Sequence, residues 1–479
     1  MAKKYWLEIY GCQMNFAEGY ALENELKNHG WEPAGSAEEA DAAILHTCSV
    51  RQTAENRIWG RLGYFKHIKQ NRPQKLIVMG CMAERLKEKL QEREPAVDLV
   101  VGNYSKEYLA DIIERTAGEV AGGIAGEVAG GIAGGTAGMI AGGAAGQRAA
   151  IGDGRDSLDS VDTMTASEDN KGFTFHQLHH RERDFHAYLP IMHGCNNFCT
   201  YCIVPYVRGR EVSRPPEEII REIRLLETEG VKEISLLGQN VNSYSYQDSD
   251  RDLDFPDILE ILLRETRGIE WVRFITSHPK DVPPKLIDLI ASEPKLCRHV
   301  HLPVQHGSST VLKRMNRKYS REDYLQLVEK MRAAVPDISL TTDILIGFPG
   351  ETEADFQDTI SLMKEVRFDD AFMYYYNVRE GTPAAGFEGQ LSKQTKLDRL
   401  AAVIETQRGI THEKRLERVG TVEKVLAESV SRKNANELLG RTERDQMVVF
   451  PGDGKLIGRF FNVQLEQLQG NTFRGTLID

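Results

Sequence analysis

Short apolar runs alternate with amphipathic stretches in the amino-terminal part of the chain. The apolar runs lie at 5–10, 42–45 and 76–79, and the amphipathic stretches between them lie around 17–28 and 51–70. This β-α-β-α-β order predicts a parallel sheet, because parallel strands need crossover helices to connect them. We assign this sheet to an amino-terminal α/β domain over 1–116.

The same alternation returns from about residue 185. The candidate strands, separated by amphipathic stretches, lie at 187–192, 233–237, 271–276, 299–304, 340–346 and 371–377. Six βα units predict an open version of the eight-stranded α/β barrel, whose active site lies at the carboxyl ends of its strands. Polar or glycine-bearing sequences follow several of these strands, so we expect them to share one pocket. We assign the barrel domain to 185–412.

The last segment, 413–479, has a third pattern, in which short alternating runs are divided by turn residues. The runs lie at 421–427, 446–450, 457–465 and 473–478. They predict a small antiparallel β-barrel. The expected fold class is therefore α/β: an amino-terminal α/β domain, an open (β/α)6 partial barrel and a small carboxyl-terminal β-barrel.

The segment 117–184 has none of these patterns. Glycine- and alanine-rich octads occupy 117–148, and an acidic stretch follows at 152–170. The octads contain little bulky apolar surface, so they predict a flexible linker rather than a membrane span. Four histidines come next, at His176, His179, His180 and His186. We interpret these histidines as a solvated approach to the next strand, with a metal site as the alternative.

Composition and charge limit the classes of function that the chain can have. The chain has 479 residues and a net charge of −11, which suits about three domains and gives no general basic field for nucleic acid. Any RNA-binding surface must therefore be local. Seven cysteines without a secretory signal indicate reduced thiols or metal ligands rather than disulfides. We expect a cytoplasmic protein that does not enter a membrane.

Three cysteines, Cys195, Cys199 and Cys202, lie in the run HGCNNFCTYC after the first predicted barrel strand. This CxxxCxxC spacing lets one loop present three thiolates to a four-iron cluster while the remaining iron stays open. A structural zinc site usually needs four protein ligands, and the sequence contains no second CxxC motif. The spacing therefore favours an iron–sulfur cluster.

Three further cysteines, Cys12, Cys48 and Cys81, each follow an apolar run of the amino-terminal domain. The carboxyl ends of parallel strands meet at one edge of a sheet, so we expect these thiols to converge on a second cluster. Two alternatives stay open: buried structural cysteines, or a zinc ion held by the three thiols and His46. Cys297 has no spacing partner, and we interpret it as structural.

The order of these features resembles the methylthiotransferases of the radical S-adenosylmethionine (SAM) superfamily, and the tRNA-modifying MiaB type is the most similar. The resemblance covers essentially the whole chain outside the octads. Its most specific stretches are GCQMN (11–15), TCSVR (47–51), YCIVPYVRGREVSRP (201–215), LLGQNVNSY (236–244), TSHP (276–279) and SRKNANELLGRTERDQMVVF (431–450). Two features depart from the family pattern, because His46 stands where asparagine is usual and the octads are additional.

The resemblance implies a transferase that adds a methylthio group to C2 of N6-isopentenyladenosine at position 37 of tRNA. It implies a 4Fe–4S cluster on each cysteine set, SAM as cofactor (two per turnover), and sulfide or polysulfide on the auxiliary cluster of Cys12, Cys48 and Cys81. The residues expected to bind SAM are Tyr201, Gly238, Gln239, Asn240, Ser277, Gln305, Asp343 and Gly347. The residues expected to bind RNA are Arg208, Arg210 and Arg214 beside the catalytic mouth, and Arg432, Lys433 and Arg441 in the tail, which resembles a TRAM domain.

The implied partners are a tRNA anticodon loop with a prenylated adenosine, a flavodoxin- or ferredoxin-like reductant, and cluster-assembly proteins. The implied oligomeric state is a monomer. Two other substrates remain possible on the same resemblance: N6-threonylcarbamoyladenosine 37 of tRNA, or an aspartate of a ribosomal protein. An iron–sulfur RNA-binding sensor without turnover is the alternative from another class, and reductive cleavage of SAM by the protein would exclude it.

Overall fold

A computed structural model describes the chain in six stretches, which are 3–49, 52–103, 109–114, 175, 185–248 and 252–478. The predicted octad linker, His176, His179 and His180 lie outside the described residues. Among the described residues, no helix is long and apolar enough to cross a membrane.

The amino-terminal domain is a five-stranded parallel sheet with helices between its strands. Its elements are β1 (Lys4–Ile9), α1 (Gln13–Asn28), β2 (Glu32–Pro33), β3 (Ala42–Thr47), α2 (Gln52–Asn71), β4 (Lys75–Gly80), α3 (Cys81–Leu86), α4 (Glu88–Arg93), β5 (Leu99–Val101) and the helical segment α5 (109–114). The strand order is β2-β1-β3-β4-β5. The predicted parallel sheet is confirmed. Successive strands are added on one side of β1 and then, from β3 onward, on the other side. This reversal leaves a crevice between β1 and β3, and open sheets bind ligands in such a crevice.

The middle of the chain contains six main parallel strands, which are connected by helical crossovers. Its elements are β6 (His186–Pro190), β7 (Met192–His193), α6 (Val204–Arg208), β8 (Val212–Ser213), α7 (Pro216–Thr228), β9 (Glu233–Leu237), β10 (Ser245–Gln247), β11 (Asp252–Asp254), α8 (Phe255–Glu265), β12 (Trp271–Ile275), α9 (Pro284–Ser292), β13 (His299–His301), α10 (Ser309–Arg314), α11 (Arg321–Ala334), β14 (Ser339–Ile346), α12 (Glu353–Val366), β15 (Asp370–Tyr375) and α13 (Lys393–Leu416).

The six main strands form two three-stranded parallel sheets, in the orders β6-β9-β12 and β13-β14-β15. Backbone hydrogen bonds near Val272 bridge the gap between β12 and the segment before β13. The strands thus follow one another in sequence order around an open barrel, as the sequence predicts. Their outward-facing apolar side chains share one core with the surrounding helices, including Leu189, Leu236 and Ile344.

Helix α1 of the amino-terminal domain belongs to the same core. Met14, Ala17 and Ala21 on one face of α1 are buried in the cluster that includes Leu189 of β6. Residues three and four apart share a helix face, so the two small alanine side chains let α1 lie close against the first barrel strand. Because α1 begins directly after Cys12, this contact fixes one cysteine of the dispersed set relative to the barrel.

The tail is a closed five-stranded barrel. Its elements are β16 (Val422–Val430), β17 (Glu437–Thr442), β18 (Met447–Pro451), β19 (Phe460–Gln469) and β20 (Thr472–Ile478). The predicted small barrel is confirmed, but it is not antiparallel throughout, because β18 pairs with β20 in parallel. A closed ring with an odd number of strands cannot alternate direction at every step, so one pair must be parallel.

The tail packs against the amino ends of the barrel strands, opposite to the ends where the active site is expected. The Glu233 carboxylate, at the start of β9, accepts a hydrogen bond of 2.7 Å from Arg273 and one of 3.0 Å from Arg441 of the tail. Arg273 also donates to the backbone carbonyls of Thr442 and Glu443, at 2.8 and 2.7 Å. Burial raises the pKa of Glu233, but the two guanidinium groups outweigh burial and hold that pKa below its ordinary value.

Removing the Glu233 charge should loosen this junction. We expect Glu233→Gln to lower the free energy of unfolding by about 3–5 kcal/mol, because two buried guanidinium groups lose their carboxylate. Glu428→Gln is the matched control, since Glu428 pairs with the same Arg441 but is 23% exposed; its expected loss is below about 1 kcal/mol. Urea titration of both variants measures the two losses in the free energy of unfolding. Equal losses would show that the burial of Glu233 does not determine the stability of this junction.

Candidate active site

The compact cysteine set lies on the loop that follows β6 and β7. Gly194 has a φ of +76°, and a Cβ there would lie 1.9 Å from the carbonyl oxygen of Arg210, so only glycine lets the loop turn this closely. The loop then folds back on itself, with the amide of Cys202 donating to the carbonyl of Cys199 at 2.9 Å. Three thiols are therefore presented from one short turn, as the spacing predicts.

Of the compact set, Cys199 is buried, and Cys195 and Cys202 are partly buried. Burial raises the pKa of Cys195 to about 11, and burial together with the charge of Cys199 raises the pKa of Cys202 to about 12. Arg317 is buried beside them and donates from Nη1 to Cys199 Sγ at 3.5 Å. A group that binds all three as thiolates must bring positive charge, which iron does. No sequence signal pointed to Arg317, because it lies far along the chain from the cysteines.

Cys12 and Cys48 of the dispersed set meet at the crevice between β1 and β3. A hydrogen bond from Cys48 and the nearby Arg208 guanidinium together lower the pKa of Cys12 to about 6, against burial. Gly11 has a φ of +122°, and a Cβ there would lie 2.3 Å from the Cβ of Cys48. The glycine before Cys12 is therefore needed for the two cysteines to approach each other.

Cys81 begins α3 at the end of β4 and completes the dispersed set. Asn103, just after β5, donates from Nδ2 to Cys81 Sγ at 3.6 Å and to the carbonyl of Val207 at 2.6 Å. Burial disfavours the charged form of Arg208, but Cys81 and Glu18 outweigh burial and raise the pKa of Arg208 well above its ordinary value. One buried guanidinium thus lies beside two thiols of the set.

The two cysteine sets face each other across the contact between the two domains. Cys81 packs against Ile203 and Val207, which directly follow the compact set. Arg379 donates a hydrogen bond to the carbonyl of Ser49. Burial lowers the pKa of Arg379, while the charges of Glu55, Cys202 and Cys48 oppose this decrease. Arg379 therefore lies within electrostatic reach of both sets.

The donors fit clusters with an open iron better than they fit a single ion. Among the described residues, no group of three or more His, Cys, Asp and Glu side chains surrounds one metal position. The thiolates of a cubane bind different irons, so they need not converge on one point. His46, the fourth ligand of the zinc alternative, contacts Glu18 instead, with 3.4 Å between Nε2 and Oε2.

Polar residues after β9 and β12 partly support the expected SAM site. The Oε1 atom of Gln239 is buried and accepts no hydrogen bond from the described residues. Asn240 instead donates to Asp281 at 2.7 Å and accepts from the amide of His278 at 3.0 Å, so it braces the neighbouring loop. The Ser277 hydroxyl likewise donates to the side-chain oxygen of Asn242, at 3.1 Å. Gly238 packs against β7, just before the cysteine loop, because a Cβ there would lie 2.4 Å from the side chain of Met192.

The remaining SAM candidates lie at the carboxyl end of β14. Tyr201 packs with Leu345 in one cluster, and Asp343 lies two residues earlier on that strand. Gln305 has a φ of +67° and exchanges backbone hydrogen bonds with Asp343 and Leu345, at 2.9 and 2.7 Å. Gly347 has a φ of +69°, and a Cβ there would collide with a side chain of α13. Their contacts with SAM remain predictions.

Three of the six predicted RNA contacts are engaged in ion pairs within the folded chain. Arg208 and Arg214 are 3% and 4% exposed, and Arg441 is bound within the junction between tail and barrel. Their partners are carboxylates: Glu18 for Arg208 at 2.6 Å, and Glu222 for Arg214 at 2.5 Å. Their contacts with RNA remain predictions, which their pairing with carboxylates does not favour.

The other three predicted RNA contacts are on the surface. Arg210 is exposed and lies over the ring of Phe198, with 4.4 Å from its guanidinium carbon to the ring centroid. Arg432 and Lys433 are exposed in the turn between β16 and β17. Their role in RNA binding remains a prediction.

Three segments of the chain match known families. Residues 4–102 match the uncharacterized protein family UPF0004, residues 189–363 match the radical SAM superfamily, and residues 416–478 match the TRAM domain. A solved radical SAM methyltransferase, TsrM from Kitasatospora setae with cobalamin and a [4Fe-4S] cluster bound, is similar in fold. The two share a TM-score of 0.54 at 12% identity, over 80% of this chain and 77% of that chain.

Full-length relatives carry one name, tRNA-2-methylthio-N(6)-dimethylallyladenosine synthase. The relative from Treponema denticola is 44% identical over 479 residues, which cover 99% of both chains. The relative from Dictyoglomus thermophilum is 41% identical over 99% of this chain and 98% of its own length. Identity at this level over nearly every residue, together with two facing cysteine triplets, leads to one conclusion: the chain belongs to the family of tRNA-2-methylthio-N(6)-dimethylallyladenosine synthases.

Proposed function

We propose that this protein adds a methylthio group to C2 of the N6-isopentenyladenosine at position 37 of tRNA. The observation that carries the proposal is the placement of two cysteine triplets on either side of one domain contact, where Cys81 packs against the residues that follow Cys202. The reacting carbon has no acidic proton, so the transfer needs both a radical generator and a sulfur donor within reach of one base. The names of the full-length relatives agree with this substrate.

In this proposal Cys195, Cys199 and Cys202 hold the cluster that binds SAM, and Cys12, Cys48 and Cys81 hold the auxiliary cluster. When bound, the first cluster would supply, with one SAM, the radical that removes hydrogen from the base. The auxiliary cluster would supply the sulfur, and a second SAM would supply the methyl group on that sulfur, so two SAM would be consumed per turnover. Arg317 would donate a hydrogen bond to the sulfur of Cys199, and Arg208 would place its positive charge beside Cys12 and Cys81.

The neighbouring side chains suit a polar cofactor and an anionic substrate. Gln239 Oε1 and Asn242 Nδ2 are buried polar atoms that bind no described residue, so a polar ligand at the strand ends would satisfy them. Exposed Arg210, Arg432 and Lys433 would contact tRNA phosphates. A flavodoxin- or ferredoxin-like reductant and cluster-assembly proteins complete the scheme, and we propose a cytoplasmic monomer.

The iron content tests the two-cluster assignment. Anaerobically reconstituted protein should hold about eight irons, and the Cys195/Cys199/Cys202→Ala variant about four, because each set binds one four-iron cluster. Cys297→Ser is the matched control. Cys297 is buried against Trp271 and Leu426, away from both sets, so this variant should keep about eight irons. Iron loss in the control, or zinc as the main native metal, would contradict the assignment.

The roles of the two sets can be separated by SAM cleavage. The Cys12/Cys48/Cys81→Ala variant should still cleave SAM reductively, because the compact set is untouched, yet it should form no methylthio product. Liquid chromatography of 5′-deoxyadenosine and of the RNA nucleosides measures both. If the variant kept four irons but lost SAM cleavage, this division of labour would be wrong.

Mass spectrometry of tRNA nucleosides tests the substrate. A strain that lacks the gene should accumulate N6-isopentenyladenosine without its methylthio group, and the wild-type gene should restore the modified nucleoside. The Cys195→Ala gene should fail to restore it, because the open cluster is lost. Unchanged isopentenyladenosine together with loss of a methylthio group from threonylcarbamoyladenosine would move the assignment to the sister reaction.

A further inference from the structure

Arg317 is a buried cation at the edge of the compact cysteine set. It is 9% exposed, and its Nη1 atom donates to Cys199 Sγ at 3.5 Å. Its Nη2 atom donates to the carbonyl of Pro303 at 2.9 Å, and its Nε atom donates to the hydroxyl of Tyr319 at 2.8 Å. Each nitrogen of the guanidinium therefore has a partner, and these contacts hold the group beside the cysteine.

The loop that carries Arg317 is bound to the cysteine loop. Asn316, the preceding residue, has a φ of +59° and donates from Nδ2 to the carbonyl of Phe198 at 2.9 Å. The amide of Thr200 donates to the carbonyl of Met315 at 3.0 Å. Because both residues before Arg317 are attached to the cysteine loop, the guanidinium keeps its place relative to the three thiols.

The charge of Arg317 is not compensated by a carboxylate. Its polar partners within the described part of the chain are a backbone carbonyl, the Tyr319 hydroxyl and Cys199. Burial raises the pKa of Tyr319 to about 12, so that hydroxyl stays neutral. A buried charge is costly unless an opposite charge lies near it. Of these partners only Cys199 can supply that charge, as a thiolate.

The cation beside the dispersed set is compensated differently. Arg208 lies near Cys12 and Cys81, but it donates to both carboxylate oxygens of Glu18, at 2.6 and 3.1 Å. The two opposite charges of this ion pair partly cancel at the thiols, since the energy of each falls with distance in the same way. Arg317 has no such neighbour, so its whole charge acts on the compact set.

Two other charges act on the compact set, and neither replaces Arg317. Glu211 is partly exposed and accepts hydrogen bonds from Asn196, so water screens its effect on Cys195 more than it screens a buried charge. Arg379 acts on both cysteine sets and therefore does not distinguish them. Arg317 is thus the buried charge that belongs to the compact set.

We propose that Arg317 raises the reduction potential of the cluster on Cys195, Cys199 and Cys202, and so lets this cluster accept the electron that SAM cleavage requires. The inference rests on the proposed function, because it takes the compact set to hold a 4Fe–4S cluster. Reduction brings one electron from the flavodoxin- or ferredoxin-like carrier, which is oxidised; no proton moves and no bond of the protein changes. Positive charge and hydrogen bonds at cluster sulfurs stabilise the reduced form, and arginine stays protonated throughout.

Redox titration followed by electron paramagnetic resonance tests the proposal. The Cys12/Cys48/Cys81→Ala protein isolates the compact cluster, and Arg317→Gln is then introduced into it. The substitution removes the cation and its hydrogen bond to sulfur, so the potential should fall. At one applied potential, the ratio of reduced to oxidised cluster should decrease at least about ten-fold, which for one electron is about 59 mV.

Two control variants separate the buried charge from other effects. Lys318→Gln removes an equal charge from the next residue, which is exposed, so this ratio should change less than about two-fold. Arg317→Lys keeps the charge without the planar fork, so the ratio should decrease less than about three-fold. The proposal is overturned if Arg317→Gln titrates like Lys318→Gln, or if Arg317→Lys falls as far as Arg317→Gln.

Tyr319→Phe tests the same idea if Arg317→Gln binds no iron. It removes the partner of Nε and changes no charge, so the guanidinium is held less firmly beside Cys199. The ratio of reduced to oxidised cluster should then decrease at least about three-fold. An unchanged ratio in a variant that keeps about four irons would overturn the proposal.

SAM binding and product formation distinguish the remaining outcomes. If Arg317→Gln keeps its potential but binds SAM ten-fold more weakly in equilibrium dialysis, Arg317 is a cofactor contact and the proposal is overturned. If the parent protein holds zinc and no iron, the proposed function and this inference fall together. If the parent protein holds both clusters but forms no methylthio product, the proposed function fails, and the titration of Arg317→Gln still decides this inference.

Discussion

The buried ion pair between Arg208 and Glu18 holds the two cysteine-bearing domains in one arrangement. Arg208 belongs to the barrel domain, immediately after the cysteine loop, and it donates to both oxygens of Glu18 in helix α1, at 2.6 and 3.1 Å. It also donates to Asn15 at 3.1 Å. Breaking one partner of such a pair costs about 3–5 kcal/mol, because the other charge stays buried. The relative position of the two cysteine sets therefore depends on this contact.

The same contact also sets the charge around the dispersed set. Three thiolates in a buried crevice repel one another, and Arg208 lies beside two of them. A lysine would bring one charge but not the planar fork that reaches Glu18 and Asn15 at once. Structural support and electrostatic support for the dispersed cysteine set thus come from one side chain, which explains why it is buried.

The tail is placed at the other end of the barrel. It binds Glu233 and Trp271, which begin β9 and β12, whereas the cysteine loop follows the carboxyl end of β6. Five residues of strand span about 17 Å, so a substrate that touches both ends must be a large molecule. This geometry suits tRNA, with the anticodon loop at the cysteines and another part of the molecule near Arg432 and Lys433.

The sequence by itself determined the three folded parts and the six cysteines of the proposed clusters, because strand and helix periodicity and ligand spacing are local properties. It did not determine which charged residues are exposed. Arg208, Arg214 and Arg441 resemble surface cations in the sequence, but their carboxylate partners Glu18, Glu222 and Glu233 reach them only through tertiary packing. Arg317 and Asn103 approach cysteines for the same reason. A buried charge needs a partner that desolvation makes obligatory, and only the folded chain decides which residue that partner is.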